Sequence, residues 1–356
     1  MTGKARTMKK DRFTLWGMDM NGASNGAERA REVVEKVRRG MASRVVGQEA
    51  LVDGIFTAFV AGGHVLLEGV PGLAKTLAVK TFSALASLSF KRVQFTPDLL
   101  PADLVGTLVF EQGSSSFSVR KGPVFANLVL ADEINRAPAK VQSALLEAMA
   151  ERQVTIGETT YPLPDPFFVL ATQNPIEQEG TYALPEAELD RFLFKLHVPY
   201  PSLEEESRIV RVEAGLDATL PTSVSGALKP IIGADDLAVV RAAVRAVNVD
   251  QALLDYAVSL VAATRPIAES RKDRRQRDDY LKYISFGASP RASIALVATA
   301  RIRAAFEGRD YVTPDDIKAL ACPVLRHRLV LSYEAGADGL SADDIVARLL
   351  SIVPIP

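Results

Sequence analysis

The chain has 356 residues, 48% of them hydrophobic, and a net charge of −1, so it can bury the cores of two domains but carries no overall basic field for nucleic acid. One cysteine excludes an intramolecular disulfide and a cysteine zinc cluster, and three scattered histidines lack metal-ligand spacing, so we interpret them as structural. No run of about 18 apolar residues occurs and no apolar core follows the basic N-terminus, so we expect no membrane span, no secretory signal and a cytoplasmic location.

Composition divides the chain into four parts. Residues 1–27 are polar and are predicted to be a flexible tail, whereas residues 28–214 alternate apolar strands with helical stretches, as a doubly wound α/β domain does. Residues 215–232 are rich in Thr, Pro, Ser and Gly and are predicted to be a linker. Residues 233–356 place apolar side chains at helical spacing, which predicts a smaller all-α domain.

The first candidate site is the segment 69–76, Gly-Val-Pro-Gly-Leu-Ala-Lys-Thr, which follows an apolar run. A strand that enters a tight Gly/Pro turn and then a helix points several backbone N–H groups at one anion. Lys75 can reach the outer phosphates of a nucleotide, and the Thr76 hydroxyl can ligate Mg²⁺. Ala74 stands where the usual pattern has a second glycine, which is tolerable only if that residue does not need a positive φ. The alternative is a glycine-rich turn before an ordinary helix.

A second candidate site follows the predicted buried strand Phe125 to Leu130. Asp132 suits a phosphate-bound Mg²⁺, usually through water, and Glu133 can orient or deprotonate an attacking water. Both carboxylates could also cap the next helix, because acidic residues favour helix N-termini.

A third apolar strand begins at Phe167 and ends in a polar cluster that contains Asn174. The Asn174 amide can hydrogen-bond a γ-phosphate or the attacking water, although Asn-Pro is also a strong turn signal. Three apolar strands that each end in polar residues predict a parallel α/β sheet, with ligands at the carboxyl ends of its strands.

With these motifs the chain resembles the AAA+ ATPases and, more narrowly, the MoxR family, over about residues 30 to 335. The matching phrases are Phe95-Thr-Pro-Asp-Leu-Leu-Pro, Lys121-Gly-Pro-Val-Phe, Asp132-Glu-Ile-Asn-Arg-Ala, Ala171-Thr-Gln-Asn-Pro-Ile-Glu, Leu184-Pro-Glu-Ala-Glu-Leu-Asp-Arg-Phe and Gly287-Ala-Ser-Pro-Arg. The resemblance implies an AAA+ P-loop core with a parallel sheet and helices on both faces, followed by an all-α lid, and ATP and Mg²⁺ as cofactors.

The resemblance also implies roles for individual residues. Nucleotide contacts are implied for Gly47, Gln48, Gly69, Val70, Pro71, Gly72, Leu73, Ala74, Lys75, Thr76 and Leu77. Metal binding is implied for Thr76 and Asp132, and catalysis at the Walker B motif for Glu133. Asn174 matches sensor 1, Arg191 matches the arginine finger and Arg291 matches sensor 2.

The residues alone leave the two arginine assignments open. A guanidinium forks onto phosphate oxygens, which suits transition-state stabilisation. Arg191 could instead form an intramolecular ion pair with Asp190, and Arg291 could be a solvated arginine at a helix start capped by Ser289. Arg136 is a further candidate to face a neighbouring subunit.

The function implied is a Mg²⁺-dependent ATPase that works as a ring, a hexamer, with ATP between subunits, and remodels a protein client. The resemblance further implies a partner with a von Willebrand factor A domain. The alternatives are a chelatase-type motor for metal insertion, a nucleic-acid motor and a nucleotide-gated scaffold. The helicase alternative lacks zinc motifs, basic stripes and stacking aromatics, and the scaffold would not need Lys75, Glu133 and Arg191 together.

Two segments have open roles. Residues 108–124 contain two β-prone runs on either side of a Gly-Ser turn, which predicts a hairpin. This hairpin either touches a client at the ring pore, as in related AAA+ proteins, or lies on the surface without contacts. Residues 271–279 mix basic and acidic side chains and predict a solvated loop rather than a partner-binding patch.

Overall fold

The computed structural model describes residues 20–70, 75–113, 115–174, 181–216, 229–266 and 279–356. The helices are α1 (Met20–Ala42), α2 (Glu49–Ala61), α3 (Lys75–Leu85), α4 (Pro101–Val105), α5 (Ala139–Glu151), α6 (Glu186–Leu189), α7 (Leu203–Glu213), α8 (Ala234–Ala246), α9 (Gln251–Ala263), α10 (Pro290–Phe306), α11 (Pro314–Leu325), α12 (Tyr333–Ala337) and α13 (Ala342–Ile352). The strands are β1 (Val65–Glu68), β2 (Phe90–Gln94), β3 (Gly106–Glu111), β4 (Ser116–Lys121), β5 (Leu128–Asp132), β6 (Gln153–Ile156), β7 (Thr159–Pro162), β8 (Phe168–Gln173), β9 (Phe194–His197), β10 (Ile284–Phe286) and β11 (Val330–Leu331).

Five parallel strands form the central sheet, in the order β2-β5-β8-β1-β9. The middle strands are continuous runs of Val, Leu, Ala and Phe, as expected where both faces of a sheet are covered. The predicted parallel α/β sheet is therefore confirmed. The second strand lies slightly later than expected, since β5 begins at Leu128 and includes Asp132 as its last residue.

Alternate side chains of the middle strands enter two different hydrophobic cores. Val65 and Leu67 of β1 lie in one core, and Leu66 lies in the other. The same alternation holds along β5 and β8, because successive strand residues point to opposite faces. One core is closed by α2 and α3 and continues into the C-terminal helices, and the other is closed by α4 and α5, which confirms the prediction of helices on both faces.

The C-terminal part, from α8 to α13, is mainly helical. Ser289 accepts a hydrogen bond from the Arg291 N–H at the start of α10, and Pro290 occupies the first turn, as predicted. The expectation of an all-α lid needs one correction, because β10 and β11 form a short antiparallel pair. The chain before α10 and the chain after α11 run side by side there, and their backbone groups pair with each other.

Helix α1 shortens the predicted N-terminal tail. It begins at Met20, inside the segment 1–27, while residues 1–19 lie outside the described residues. The apolar stripe of Ala30, Val33 and Val37 is fully buried, and α1 packs against α2 and α3 of the core and α8 and α10 of the lid. Once this stripe is packed, adding turns at the N-terminus costs little, because helix formation is cooperative.

Most of the predicted linker, residues 217–228, lies outside the described residues. At its end, the Ile231 and Ile232 N–H groups donate to the Leu85 carbonyl at the end of α3. The boundaries at 214 and 233 stay predictions.

The described residues form two antiparallel hairpins. The predicted hairpin within residues 108–124 is present as β3 and β4, and β6 and β7 form another that the sequence analysis did not anticipate. Phe110 and Phe117 lie opposite each other on the first hairpin, 5.2 Å apart between ring centroids and 52% and 68% exposed. The charged segment 271–279 falls almost wholly on residues 267–278, which lie outside the described residues.

Candidate active site

The polar residues that follow the three predicted strands meet at one edge of the sheet. Strand β8 lies between β5 and β1, and all three run in the same direction. Their carboxyl ends therefore bring together Asp132 at the end of β5, Asn174 just after β8 and Gly69 just after β1. The Gly69 N–H donates to the Gln173 carbonyl at 3.4 Å, which ties two of these ends directly.

Lys75 is the first residue of α3 and turns back toward the end of β1. Its Nζ donates to the Gly69 carbonyl at 2.6 Å. Burial lowers the Lys75 pKa, and the nearby carboxylates of Asp132, Glu133 and Glu68 oppose that shift. Lys75 is thus a half-buried cation within electrostatic reach of three carboxylates. A site with this mixture of charges suits a polyanion that binds together with a divalent cation.

The other residues of the predicted phosphate loop are described only in part. Pro71, Gly72, Leu73 and Ala74 lie outside the described residues. Val70 precedes that gap, and Thr76 and Leu77 continue α3 after it; all three are half-buried. The roles of these residues stay predictions.

Asp132 is held on both carboxylate oxygens. Oδ1 accepts a hydrogen bond of 2.7 Å from the Thr172 hydroxyl, and Oδ2 accepts two from Arg92, at 2.6 Å from Nη2 and 3.0 Å from Nε. The carboxylate is nearly buried, whereas the Arg92 side chain is 47% exposed and can shift without crossing the core. Thr172 and Arg92 therefore orient the Asp132 carboxylate, whose oxygens keep lone pairs for a further contact.

The backbone at Glu133 lies in the left-handed region, with φ 57° and ψ 52°. Its N–H donates to the Thr172 hydroxyl at 2.8 Å, and a 3-10 turn follows at once. This conformation costs a non-glycine residue about 1 kcal/mol, and it turns the Glu133 side chain out of the strand direction. Strain of this kind is concentrated at functional sites, where surrounding contacts maintain it.

The Glu133 carboxylate has two side-chain donors. Its Oε2 accepts from Gln94 Nε2 at 2.7 Å and from Arg136 Nη1 at 3.1 Å. Arg136 had been a candidate to face a neighbouring subunit; in this structure it pairs with Glu133 of its own chain. Arg92 also donates to Gln94 Oε1 at 3.2 Å, so one network holds both acidic residues.

Asn174 is buried, with 5% of its surface exposed, directly after β8. Residues 175–180 lie outside the described residues. The Asn174 amide therefore lies at the end of the strand beside β5, next to the end that carries Asp132 and Glu133, and its role stays a prediction.

The candidate adenine segment lies between α1 and α2. Gly47 has φ +70°, and Gln48 is buried, with Nε2 donating to the Pro199 carbonyl at 3.5 Å. Gln48 also lines a cleft of about 400 Å³, whose walls combine apolar residues such as Val45 and Val52 with the charged Arg38, Arg39, Glu49 and Asp53. The adenine contact of Gly47 and Gln48 stays a prediction.

The two arginines assigned by resemblance have different surroundings. Arg191 is half-buried and donates from Nη1 to the Leu146 carbonyl at 3.0 Å. The alternative of an Asp190–Arg191 ion pair does not occur within the described structure, because Asp190 pairs with Arg328 instead. Arg291 is 63% exposed, and its Nη1 lies 3.8 Å from Asp190 Oδ2.

Glu68, the last residue of β1, links the phosphate loop to β9. Its carboxylate accepts from Lys195 Nζ at 2.8 Å and from His197 Nε2 at 2.9 Å. Burial alone would raise the Glu68 pKa, but the hydrogen bonds from His197 and Lys195 outweigh it and lower that pKa to about 2. Glu68 thus stays charged and anchors the strand that leads into residue 69.

The sequence patterns do not indicate four of the residues that hold this site: Arg92, Gln94, Thr172 and Glu68. A partial signal exists in β2, where two long polar side chains stand two residues apart in a short strand and so share one face. Which carboxylates they meet follows only from the pairing of β2 with β5, where Arg92 lies opposite Leu130 and Gln94 opposite Asp132.

The donor set fits a magnesium–nucleotide complex. No cluster of three or more His, Cys, Asp or Glu side chains that could hold a metal alone occurs among the described residues. Mg²⁺ in nucleotide sites needs only one or two protein oxygens, because phosphates and waters supply the rest. Asp132 and the Thr76 hydroxyl offer such oxygens.

None of the described helices combines the length and the hydrophobicity that a membrane span requires.

Comparisons with known proteins agree with this geometry. Residues 64–194 match the model of the ATPase family associated with various cellular activities (AAA), and residues 281–349 match that of the AAA lid domain. The chain is 49% identical to chaperone MoxR1 of Mycobacterium tuberculosis over 88% of this chain and 79% of that one. It is 31% identical to the protein MoxR of Methylorubrum extorquens over 92% and 96% of the two chains.

A solved structure extends the likeness to the whole fold. The crystal structure of a candidate ATPase from Cytophaga hutchinsonii superposes with a TM-score of 0.84 at 45% identity, covering 96% of this chain and 100% of that one.

Proposed function

Because the chain belongs to the MoxR family of AAA+ ATPases and is an ATP hydrolase, we propose that it hydrolyses ATP with Mg²⁺ at the subunit interfaces of a ring and uses the reaction to remodel protein partners. The observation that carries this proposal is the meeting of Lys75, Asp132 and Glu133 at one sheet edge, with Glu133 turned out of its strand by a left-handed backbone.

Each residue has a defined task at this site. Lys75 binds the outer phosphates as a charged donor, and Asp132 and Thr76 hold the metal, which neutralises phosphate charge when bound. Glu133 accepts a proton from, or orients, the attacking water, and Asn174 hydrogen-bonds that water or the γ-phosphate. The adenine binds beside Gly47 and Gln48, as the family resemblance implies.

Two arginines add positive charge beside the nucleotide, one from the lid and one from the neighbouring subunit. Arg291 reaches the γ-phosphate from the lid, and its high exposure and long 3.8 Å contact leave it free to move. Arg191 acts on the nucleotide of the adjacent subunit, which requires that it leave the Leu146 carbonyl, a single neutral acceptor. Such charged donors stabilise the transition state of phosphoryl transfer strongly. We take the ring to be a hexamer.

The predicted client-binding element is the β3–β4 hairpin. Phe110 and Phe117 are exposed and stacked edge to face on it, and an exposed aromatic pair can contact unfolded or flexible segments of a partner. The name of the Mycobacterium tuberculosis relative describes it as a chaperone, which supports the same kind of activity here. The family resemblance adds a partner with a von Willebrand factor A domain and a cytoplasmic location.

The test uses two variants that stop the cycle at different points. Glu133→Gln should bind ATP and Mg²⁺ without turnover, and Lys75→Ala should lose nucleotide binding. Both are immobilised with ATP and Mg²⁺ and exposed to host lysate, and their oligomeric state is measured by light scattering. Specific retention of a protein by a Glu133→Gln ring, and not by Lys75→Ala, supports the proposal.

Other outcomes of this experiment contradict it. Retention of nucleic acid that is lost on nuclease treatment would favour a nucleic-acid motor. Undiminished hydrolysis by Glu133→Gln would remove the proposed base, and a monomer at every nucleotide concentration would remove the ring.

A further inference from the structure

Arg328, just after α11 in the lid, uses all five of its N–H donors. Its Nε donates to Asp190 Oδ1 at 2.7 Å. The other four go to backbone carbonyls: Asp190 at 3.2 Å, Phe192 at 2.6 Å, Leu193 at 3.2 Å and Val324 of α11. The side chain is 3% exposed. A buried guanidinium with every donor satisfied is a rigid connection between two parts of the chain.

The segment that Arg328 holds, residues 190–193, contains Arg191. Three of its four carbonyls accept from Arg328. His327 adds a further bond, from Nε2 to the Phe192 carbonyl at 3.0 Å. Burial and the adjacent Arg328 charge lower the His327 pKa well below its ordinary value, so the ring is neutral and its one N–H is used here. The backbone on both sides of Arg191 is therefore attached to the lid.

The Asp190 carboxylate receives a second lid element. Its Oδ2 accepts from the Ser289 hydroxyl at 2.9 Å and lies 3.8 Å from Arg291 Nη1. Arg328 is buried and lies 2.7 Å from this carboxylate, whereas Arg291 is exposed and lies 3.8 Å from it. Since Arg328 already neutralises Asp190, Arg291 is only weakly held and can turn toward a nucleotide.

We propose that Arg328 is a positioning residue for ATP hydrolysis, which transmits the position of the lid through Asp190 and the 190–193 backbone to Arg191. The inference rests on the proposed function, because it takes Arg191 to act on the neighbouring subunit's nucleotide. A lid that moves with its own nucleotide then moves the arginine offered to the next site, so Arg328 helps to couple consecutive sites of a ring.

Two variants weaken the connection in different ways. Arg328→Lys keeps the charge but has three donors on a single atom, so it cannot reach Asp190 and all the carbonyls at once. Asp190→Asn keeps the shape and removes the charge that Arg328 pairs with. In each we expect kcat to fall about tenfold with KM within about threefold, because the nucleotide's own pocket is intact. If Arg328→Lys does not fold, as judged by circular dichroism, Asp190→Asn carries the test.

Subunit mixing separates a positioning role from a merely structural one. Lys75→Ala subunits have an intact Arg191 but no working phosphate site, so mixing them with Arg328→Lys or Asp190→Asn subunits should raise activity above the average of the two proteins measured alone. Mixing with Arg191→Ala subunits should give no gain, because no interface then has a correctly placed arginine. A gain with Arg191→Ala, or none with Lys75→Ala, overturns the proposal.

Two controls make these outcomes specific. Asp343 pairs with Arg326 at 2.8 Å, and Arg326 also donates to the Lys195 carbonyl of β9 at 3.2 Å. Asp343→Asn therefore disturbs a different contact between lid and core, outside residues 190–193, and should leave kcat unchanged. The pair Arg191→Ala and Lys75→Ala must itself gain activity on mixing. If this pair gains no activity, Arg191 does not act in trans, and both the proposed function of Arg191 and the inference about Arg328 are wrong. If it does gain activity while the Arg328→Lys and Asp190→Asn mixtures do not behave as expected, only the inference about Arg328 is wrong.

Discussion

Gln94 Nε2 donates a hydrogen bond of 2.7 Å to Glu133 Oε2, so a residue of the edge strand β2 holds the proposed catalytic carboxylate. Gln94 is itself held by Arg92, which also clamps Asp132. The carboxylates proposed to bind the metal and to activate water, Asp132 and Glu133, are thus oriented by one polar network that starts from Arg92 and Gln94 of β2.

Gln94→Ala should lower kcat about tenfold and leave KM nearly unchanged. Without the amide, Glu133 keeps only Arg136 as a side-chain donor, and its carboxylate is less well oriented toward the water. Steady-state ATPase kinetics measure both constants. Lys91→Ala, on the opposite face of β2, is the matched control and should behave as the wild type. A rise in KM with unchanged kcat would show that Gln94 acts in binding instead.

Glu133→Gln should retain ATP binding and lose at least about 100-fold in turnover. Glutamine keeps the size of the side chain, and its amide oxygen can still accept from both Arg136 and Gln94, but it cannot accept the proton of the water. Equilibrium binding of a fluorescent ATP analogue and single-turnover hydrolysis measure the two properties separately. Loss of binding in parallel with turnover would mean that Glu133 supports the pocket rather than the chemistry.

Gly47→Ala should destabilise the protein by about 2 kcal/mol. Its φ of +70° is unfavourable for alanine, and a Cβ would lie 2.1 Å from Glu205 Oε1, the carboxylate that accepts the Ser202 N–H at the start of α7. The backbone and the lost cap each cost about 1 kcal/mol. Gly215→Ala is the control, because its φ is +66° with nothing within 4 Å of the added carbon.

Urea unfolding of these two glycine variants separates the contributions. Gly215→Ala should lose only the backbone part, about 1 kcal/mol. Equal losses in both variants would show that Glu205 simply moves aside.

His64 should make the protein less stable as the pH falls from 6.5 to 4. Its Nδ1 accepts from the Val169 N–H at 3.0 Å, and Nε2 donates to the Met149 carbonyl at 3.3 Å, so the folded state holds a neutral ring. Burial lowers the His64 pKa from 6.5 to about 4. The unfolded chain therefore binds the proton first, and protonation favours unfolding by up to about 3 kcal/mol once the pH reaches 4.

The measurement is the free energy of unfolding in urea at pH 7 and pH 5. His64→Gln can accept and donate at the same two positions but does not titrate, so its loss of stability on acidification should be smaller than that of the wild type by about 2 kcal/mol. His327 contributes equally to both proteins and cancels. Identical pH dependence in the two proteins would show that His64 does not control this transition.

The main parts of the proposed nucleotide site could be predicted because they are local in the chain. An apolar run followed by a glycine-rich turn and Lys75-Thr76, and another followed by Asp132-Glu133, specify strand ends and chemistry within a few residues. Parallel strands then bring those ends to one edge, so the meeting of Lys75 with Asp132 and Glu133 follows from the pattern of strands.

The partners of these groups depend on packing between distant segments. Arg92 reaches Asp132 from 40 residues away because β2 pairs with β5, and Arg328 reaches Asp190 from 138 residues away because α11 ends against β9. No local pattern specifies such pairs, since strand order and the docking of the lid arise from how many apolar faces pack at once. Local sequence thus identifies the reacting groups, and tertiary packing decides how each one is aimed.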